Sequence, residues 1–128
     1  MKRLYISCGL IVLLAVLSAV HTIYLSQFTG QLTSQLQQAQ AQVEQEDWAG
    51  AARLTRQTKA QWEDRRWDLH TTLHHEDIDA ILLSFDETLA YLEGEERQPA
   101  EYAAANARLI GQIGLLLEAE LPTLTNLL

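Results

Sequence analysis

Residues 4–25, LYISCGLIVLLAVLSAVHTIYL, contain no Asp, Glu, Lys or Arg, and no other feature of the chain restricts its fold so strongly. Inside a bilayer the backbone must satisfy its own hydrogen bonds, so such a run is a helix. At about 1.5 Å per residue it would reach roughly 33 Å, enough to cross the hydrocarbon core. Lys2 and Arg3 precede it, and the next basic residue is Arg53. The excess of basic residues on the cytoplasmic side assigns residues 1–3 to a cytoplasmic tip, 4–25 to an anchor held by membrane lipid, and the rest to the extracytoplasmic side. Tyr5 and Tyr24 fall where the two interfaces are expected.

A cleaved signal peptide is the competing reading. Its cleavage motif is poor, because LSA at 17–19 puts Leu17 where a small residue is needed. A lipoprotein fits less well, since Cys8 comes before most of the apolar run instead of after it. Cys8 is also the single cysteine. The exported part therefore has neither disulfide nor thiol chemistry, and its stability rests on packing.

Beyond residue 25 lie seven basic and 17 acidic residues, a net of −10. Such a surface repels phosphate backbones and excludes nucleic acid as a partner. It does not repel a basic protein or a divalent cation. With Pro 2 and Gly 6 in 128 residues, and long runs of Ala, Leu, Gln and Glu, the composition predicts an all-α fold.

Phe28, Leu32, Leu36, Ala39 and Val43 recur at spacings of three and four, a helical seam over a stalk at 26–46. The stalk continues the anchor, with Gly30 as a point of looseness. Fewer than three heptads make a weak independent coiled coil. The seam is expected to pack on its own domain, with a homodimer through the stalk as the alternative.

Residues 47–128 form the helical domain. Asp47 is placed as an N-cap, with Gly50 weakening the first turn. Trp48, Ala52, Thr55, Trp62, Arg66 and Leu69 trace one face of the helix that follows. Trp67 points about 140° away from Trp62, so this helix meets two neighbours. A turn is expected at Thr71–Thr72, between the basic end Arg65, Arg66, His70 and the acidic start Glu76, Asp77. The next helix runs from about Leu73 to Glu93 on a stripe of Ile78, Ile81, Leu82, Phe85, Leu89 and Leu92. EGEERQP at 93–99 is a loop, and Pro99 suits a first helical position. The last helix is expected to stop before Pro122 and to face the core with Ala103, Ala107, Ile110, Ile113, Leu117 and Leu121. Two αα-hairpins in series make a small antiparallel bundle, similar in packing to tetratricopeptide arrays but with no repeat in sequence.

The stretch LHTTLHHEDIDAI, 69–81, concentrates three histidines and three carboxylates. His70, His74, His75 and Asp79 offer nitrogen and oxygen ligands for zinc. Against that, His74 and His75 diverge by about 100° on a helix, and HEDID replaces the second His of H-E-x-x-H by Asp79. His75 and Asp79 stand one turn apart, which also allows a proton-sensitive pair. The simplest reading is a polar helix start at the edge of the core, where Glu76 and Asp77 complement the dipole. No phosphate loop, nucleophile elbow or usable cysteine accompanies these residues. Catalytic, metal and cofactor residues are therefore assigned as none.

The order of these features, an N-terminal anchor, then Trp48, Trp62, Trp67, then HEDIDAI at 75–81 and a terminal NLL at 126–128, resembles the bacterial domain-of-unknown-function family four-three-six-three. The resemblance spans nearly the whole chain. His75, Glu76, Ile78 and Ile81 match its central motif, Trp62 its preceding aromatic and Asn126 its terminal polar residue. It implies a single anchor followed by a helical domain, and no activity, cofactor or partner. The expectation is a non-enzymatic scaffold or interaction module of the cell envelope with an unidentified protein partner. The alternative is a metal- or pH-sensing module built on the histidine cluster.

Overall fold

The computed structural model describes residues 1–65 and 75–127, apart from the side chains of His75, Leu117 and 119–127. Among the described residues four helices follow one another: α1 (Lys2–Glu44), α2 (Trp48–Asp64), α3 (His75–Glu93) and α4 (Pro99–Leu127). The described residues contain no strand.

The membrane-length run and the seam are one uninterrupted helix. Gly30 does not interrupt it, because an isolated glycine costs a helix only about 1 kcal/mol and both flanks hold the helix. Its position is exposed, and a methyl group there would meet nothing within 4 Å. The character of α1 changes at Leu25. From Lys2 to Tyr24 every residue is exposed except the half-buried Ser18, His21 and Thr22. From Leu25 onward one face is buried, through Phe28, Leu32, Leu36, Ala39 and Val43.

That face packs on α2 and α4. α2 packs in turn on α3, and α3 on α4, so the helices close into an antiparallel four-membered ring. Return of α4 onto α1 makes this a closed bundle, and the analogy with an open repeat array does not hold.

The core has two apolar parts. Leu25, Phe28, Leu32, Leu36, Trp62, Ile78, Ile81, Phe85, Leu109, Ile113 and Leu116 fill the end near the apolar half of α1. Ala39, Val43, Trp48, Ala51, Ala52, Leu92 and Tyr102 fill the distal end. Each large aliphatic or aromatic side chain buried in this way contributes about 1.5–3 kcal/mol. Trp62 is fully buried and stacks on Phe28, with ring centroids 6.4 Å apart.

Turn chemistry separates α1 from α2 where the sequence places its first break. The Asp47 carboxylate accepts a hydrogen bond from the Gly50 amide at 3.0 Å, capping α2. Gly50 serves this cap directly, since a Cβ there would collide with the Asp47 carboxylate. Glu46 takes a left-handed φ of 65° to reverse the chain.

Two expectations for α4 are corrected. The helix does not stop before Pro122 but continues to Leu127, since proline's φ suits a helix even though it removes one bond and clashes with the preceding turn. The buried face is Tyr102, Ala105, Asn106, Leu109, Ile113 and Leu116. Ala107 is exposed, and Ala103 and Ile110 are half-buried. The helix is rotated because Tyr102 and Asn106, both polar at one end, are taken into the core.

Candidate functional site

Of the histidine cluster, His70 and His74 lie outside the described residues, as do Trp67 and the expected turn at Thr71–Thr72. His75 and Asp79 occupy the first two turns of α3, and Glu76 and Asp77 supply the acidic first turn. Glu76, Asp77 and Asp79 are exposed, whereas Ile78 and Ile81 of the same motif are core residues. Among the described residues no three His, Cys, Asp or Glu side chains gather as metal ligands. Asn126 lies on the last turn of α4, and its side chain falls outside the description. Of the tryptophans, Trp62 is wholly buried and Trp48 nearly so, hence neither is an exposed partner contact.

What the structure adds is a polar layer between the two apolar parts of the core. Thr55, Thr58, Ser84, Thr88 and Asn106 are all buried. Thr58 donates to Gln35 Oε1 at 2.7 Å or to the Leu54 carbonyl at 2.8 Å. Ser84 donates to Gln112 Oε1 at 2.5 Å, and Thr88 to the Ser84 carbonyl at 2.8 Å. Asn106 Nδ2 reaches across to the Leu36 carbonyl at 3.1 Å and to Gln40 Oε1 at 3.2 Å. Hydroxyls that bond back to their own helix leave little unmet demand. Thr55 Oγ1, Asn106 Oδ1, Tyr102 Oη, Gln42 Oε1 and Trp62 Nε1 are buried without a partner among the described residues. Burial pushes the Tyr102 hydroxyl up to about 12.

Thr55 shares the helix face of Trp48 and Trp62, but Thr58, Ser84, Thr88 and Asn106 are not visible from the apolar content of a helix face. A buried Asn or Thr then looks like the solvated side. One signal was available: placing Tyr102 and Asn106 at i and i+4, with Leu109 and Ile113 continuing the line, gives the observed face.

Ion pairs link neighbouring helices on the outside. Arg56 pairs with Glu93, Lys59 Nζ lies 2.7 Å from Asp86, and Arg108 lies 3.0 Å from Glu87. The hydrogen bond to Asp86 raises the Lys59 pKa above its ordinary value. Exposed pairs of this kind add little stability, but they agree with an antiparallel register. Two more cations cover aromatic rings. The Arg65 guanidinium lies 5.2 Å from the Tyr24 ring centre and 5.7 Å from that of Phe28. That of Arg97 lies 4.8 Å from the Trp48 ring centre.

The described surface offers open grooves. One, between α3 and α4, is lined by Asp77, Ala80, Ile81, Gln112, Leu115 and Leu116. Another, between α1 and α4, is lined by Gln37, Gln40, Ala41, Glu44, Ala107 and Ile110. Neither brings an acid–base pair to a nucleophile.

A family of unknown function, Domain of unknown function (DUF4363), matches residues 19–127, and the chain belongs to it. No curated protein and no solved structure matches the chain. The matched region starts inside the apolar half of α1 and takes in the whole bundle.

Proposed function

We propose that this member of the DUF4363 family is a single-pass membrane protein that holds an acidic four-helix bundle on the extracytoplasmic side, as a non-enzymatic scaffold or interaction module of the cell envelope. One observation carries the reading. α1 is apolar and exposed on nearly all sides up to Tyr24, then continues without a break as a bundle helix with one buried face. A helix that is apolar all round needs a nonaqueous surrounding. The orientation rests on Lys2 and Arg3 at the start of the span.

The partner chemistry follows from the far end of the bundle. Glu44 and Glu46 at the α1–α2 turn and Glu95, Glu96 and Glu101 around the α3–α4 loop are exposed there together. The basic residues Arg56, Lys59, Arg65, Arg97 and Arg108 are already engaged with carboxylates or rings. A distal end with acidic surplus favours a basic partner surface and steers its approach.

Protease added to intact cells tests the topology. The bundle should be digested once the outer barrier is opened, while an epitope fused before Met1 stays protected. A protein recovered whole in the soluble cytosol would overturn the reading.

A further inference from the structure

We infer that the C-terminal end of α4, residues 121–127, is a second membrane contact, embedded beside α1 in the outer part of the bilayer. This rests on the anchoring reading above and goes beyond a single anchor. The axial register supplies the argument. Asn106 of α4 bonds at Leu36 and Gln40 of α1, and the two helices run antiparallel. Each residue further along α4 therefore sits about one residue closer to the start of α1, at roughly 1.5 Å per residue. Glu118 and Glu120 then lie level with about Leu25, and Leu127 with about Leu17.

That level has a chemical meaning in both helices. In α1 the apolar run 4–25 ends there and gives way to the Gln-, Ser- and Thr-rich stretch from Ser26, and in α4 Glu120 is the last charged residue before LPTLTNL at 121–127. The apolar run of α1 and the uncharged end of α4, far apart in sequence, therefore begin at the same height and point the same way. On α2, Arg65 reaches Tyr24 and Phe28 from just above that height. This suits an interfacial cation beside an interfacial aromatic ring.

A second observation is independent of α4's composition. Of residues 2–24, only Ser18, His21 and Thr22 are not exposed. They share one face of α1, in line with the buried Leu25. His21 Nε2 is wholly shielded. The polar side chains of the lower span thus lie on the side that protein covers, the arrangement intramembrane polar residues adopt. The bundle consequently does not swing on a tether. It is seated with its lower rim in the bilayer, which fixes the direction of its acidic end.

The test uses the full chain carrying Cys8→Ser, with single cysteines introduced as Leu124→Cys, Thr125→Cys, Val12→Cys or Ala104→Cys. Each variant carries an environment-sensitive fluorophore in phosphatidylcholine vesicles. Quenching is measured with aqueous iodide and with nitroxide-labelled acyl chains. Labels at 124 and 125 should resemble the one at 12, with iodide quenching several-fold below that at 104. Two adjacent sites guard against one label disturbing the helix, and an unchanged helical circular dichroism signal verifies folding. If 124 and 125 behave like 104 while 12 is lipid-quenched, the chain is anchored but this inference fails. If 12 is also open to iodide, the anchoring reading fails and the inference falls with it.

Discussion

The Nδ2 atom of Asn106 donates to the backbone carbonyl of Leu36, 3.1 Å away, and links α4 to α1 at the centre of the bundle. Asn106 is fully buried, and the Oδ1 of its amide has no partner among the described residues. An amide of this kind fixes register more than it adds stability, since each of its bonds replaces one with water. Asn106→Ala in the full chain in detergent micelles should lower unfolding free energy by about 2 kcal/mol, from lost packing and lost bonding together. Asn106→Leu conserves volume and removes the unmet acceptor, so it should cost less than half as much. Denaturant titration followed by circular dichroism measures both. Equal losses would show that the hydrogen bonds, not volume, hold this layer.

The same residue marks the limit of what the sequence disclosed. Where an element is flanked by turn chemistry and an apolar stripe, its outline was readable: α3 on Ile78, Ile81, Phe85 and Leu92, and the Asp47 cap of α2. The face of α4 was not readable from apolar residues alone. Its Ala, Ile and Leu residues are numerous enough to support two faces, and Asn106 and Tyr102 decide between them. Continuation of α4 past Pro122 was also hidden, because proline as a helix stop is a tendency that tertiary context overrides. For the candidate site, sequence flagged a histidine stretch and placed Thr55 on the packed face of α2, but gave no hint that Thr58, Thr88 and Asn106 join it in a buried layer. Polar residues enter a core only when partners from other helices meet them, and those partners are set by register.

The cap of α2 should show non-additive mutants. Asp47→Ala removes the acceptor of the Gly50 amide and should cost about 1 kcal/mol. Gly50→Ala gains helix propensity of about 1 kcal/mol but drives its Cβ into the Asp47 carboxylate. The prediction is no gain from Gly50→Ala alone, and a gain once Asp47 is already Ala. Thermal melts of the two single variants and the double variant close this cycle.

Gly30 gives the opposite expectation. It is exposed within α1, and added bulk meets nothing within 4 Å. Gly30→Ala should therefore stabilise by up to about 1 kcal/mol, through the helix alone. A melting temperature that falls would mean that another molecule packs on this glycine.

Alkaline pH should destabilise the bundle through Tyr102. Burial raises its hydroxyl to about 12 in the fold, above the ordinary value of 10.0 that the unfolded chain keeps. The folded state thus holds a proton that the unfolded state releases, and stability falls as pH rises. The contribution is intact below about pH 10 and is lost between 10 and 12, at up to about 1.4 kcal/mol per pH unit. Lys59, raised by its Asp86 hydrogen bond, acts in the same direction, because its stabilising charge disappears above its folded pKa. It is accessible enough for solvent to mute the effect. Tyr102→Phe separates the two. Tyr102 Oη has no partner to lose among the described residues, so the variant should match the parent chain at pH 7. Between pH 10 and 12 it should keep its stability where the parent chain weakens, leaving only the slight slope from Lys59. Urea titrations at pH 7, 10 and 11.5 measure this. Parallel losses in both chains would mean that the tyrosine hydroxyl is hydrated in the fold and does not resist ionisation.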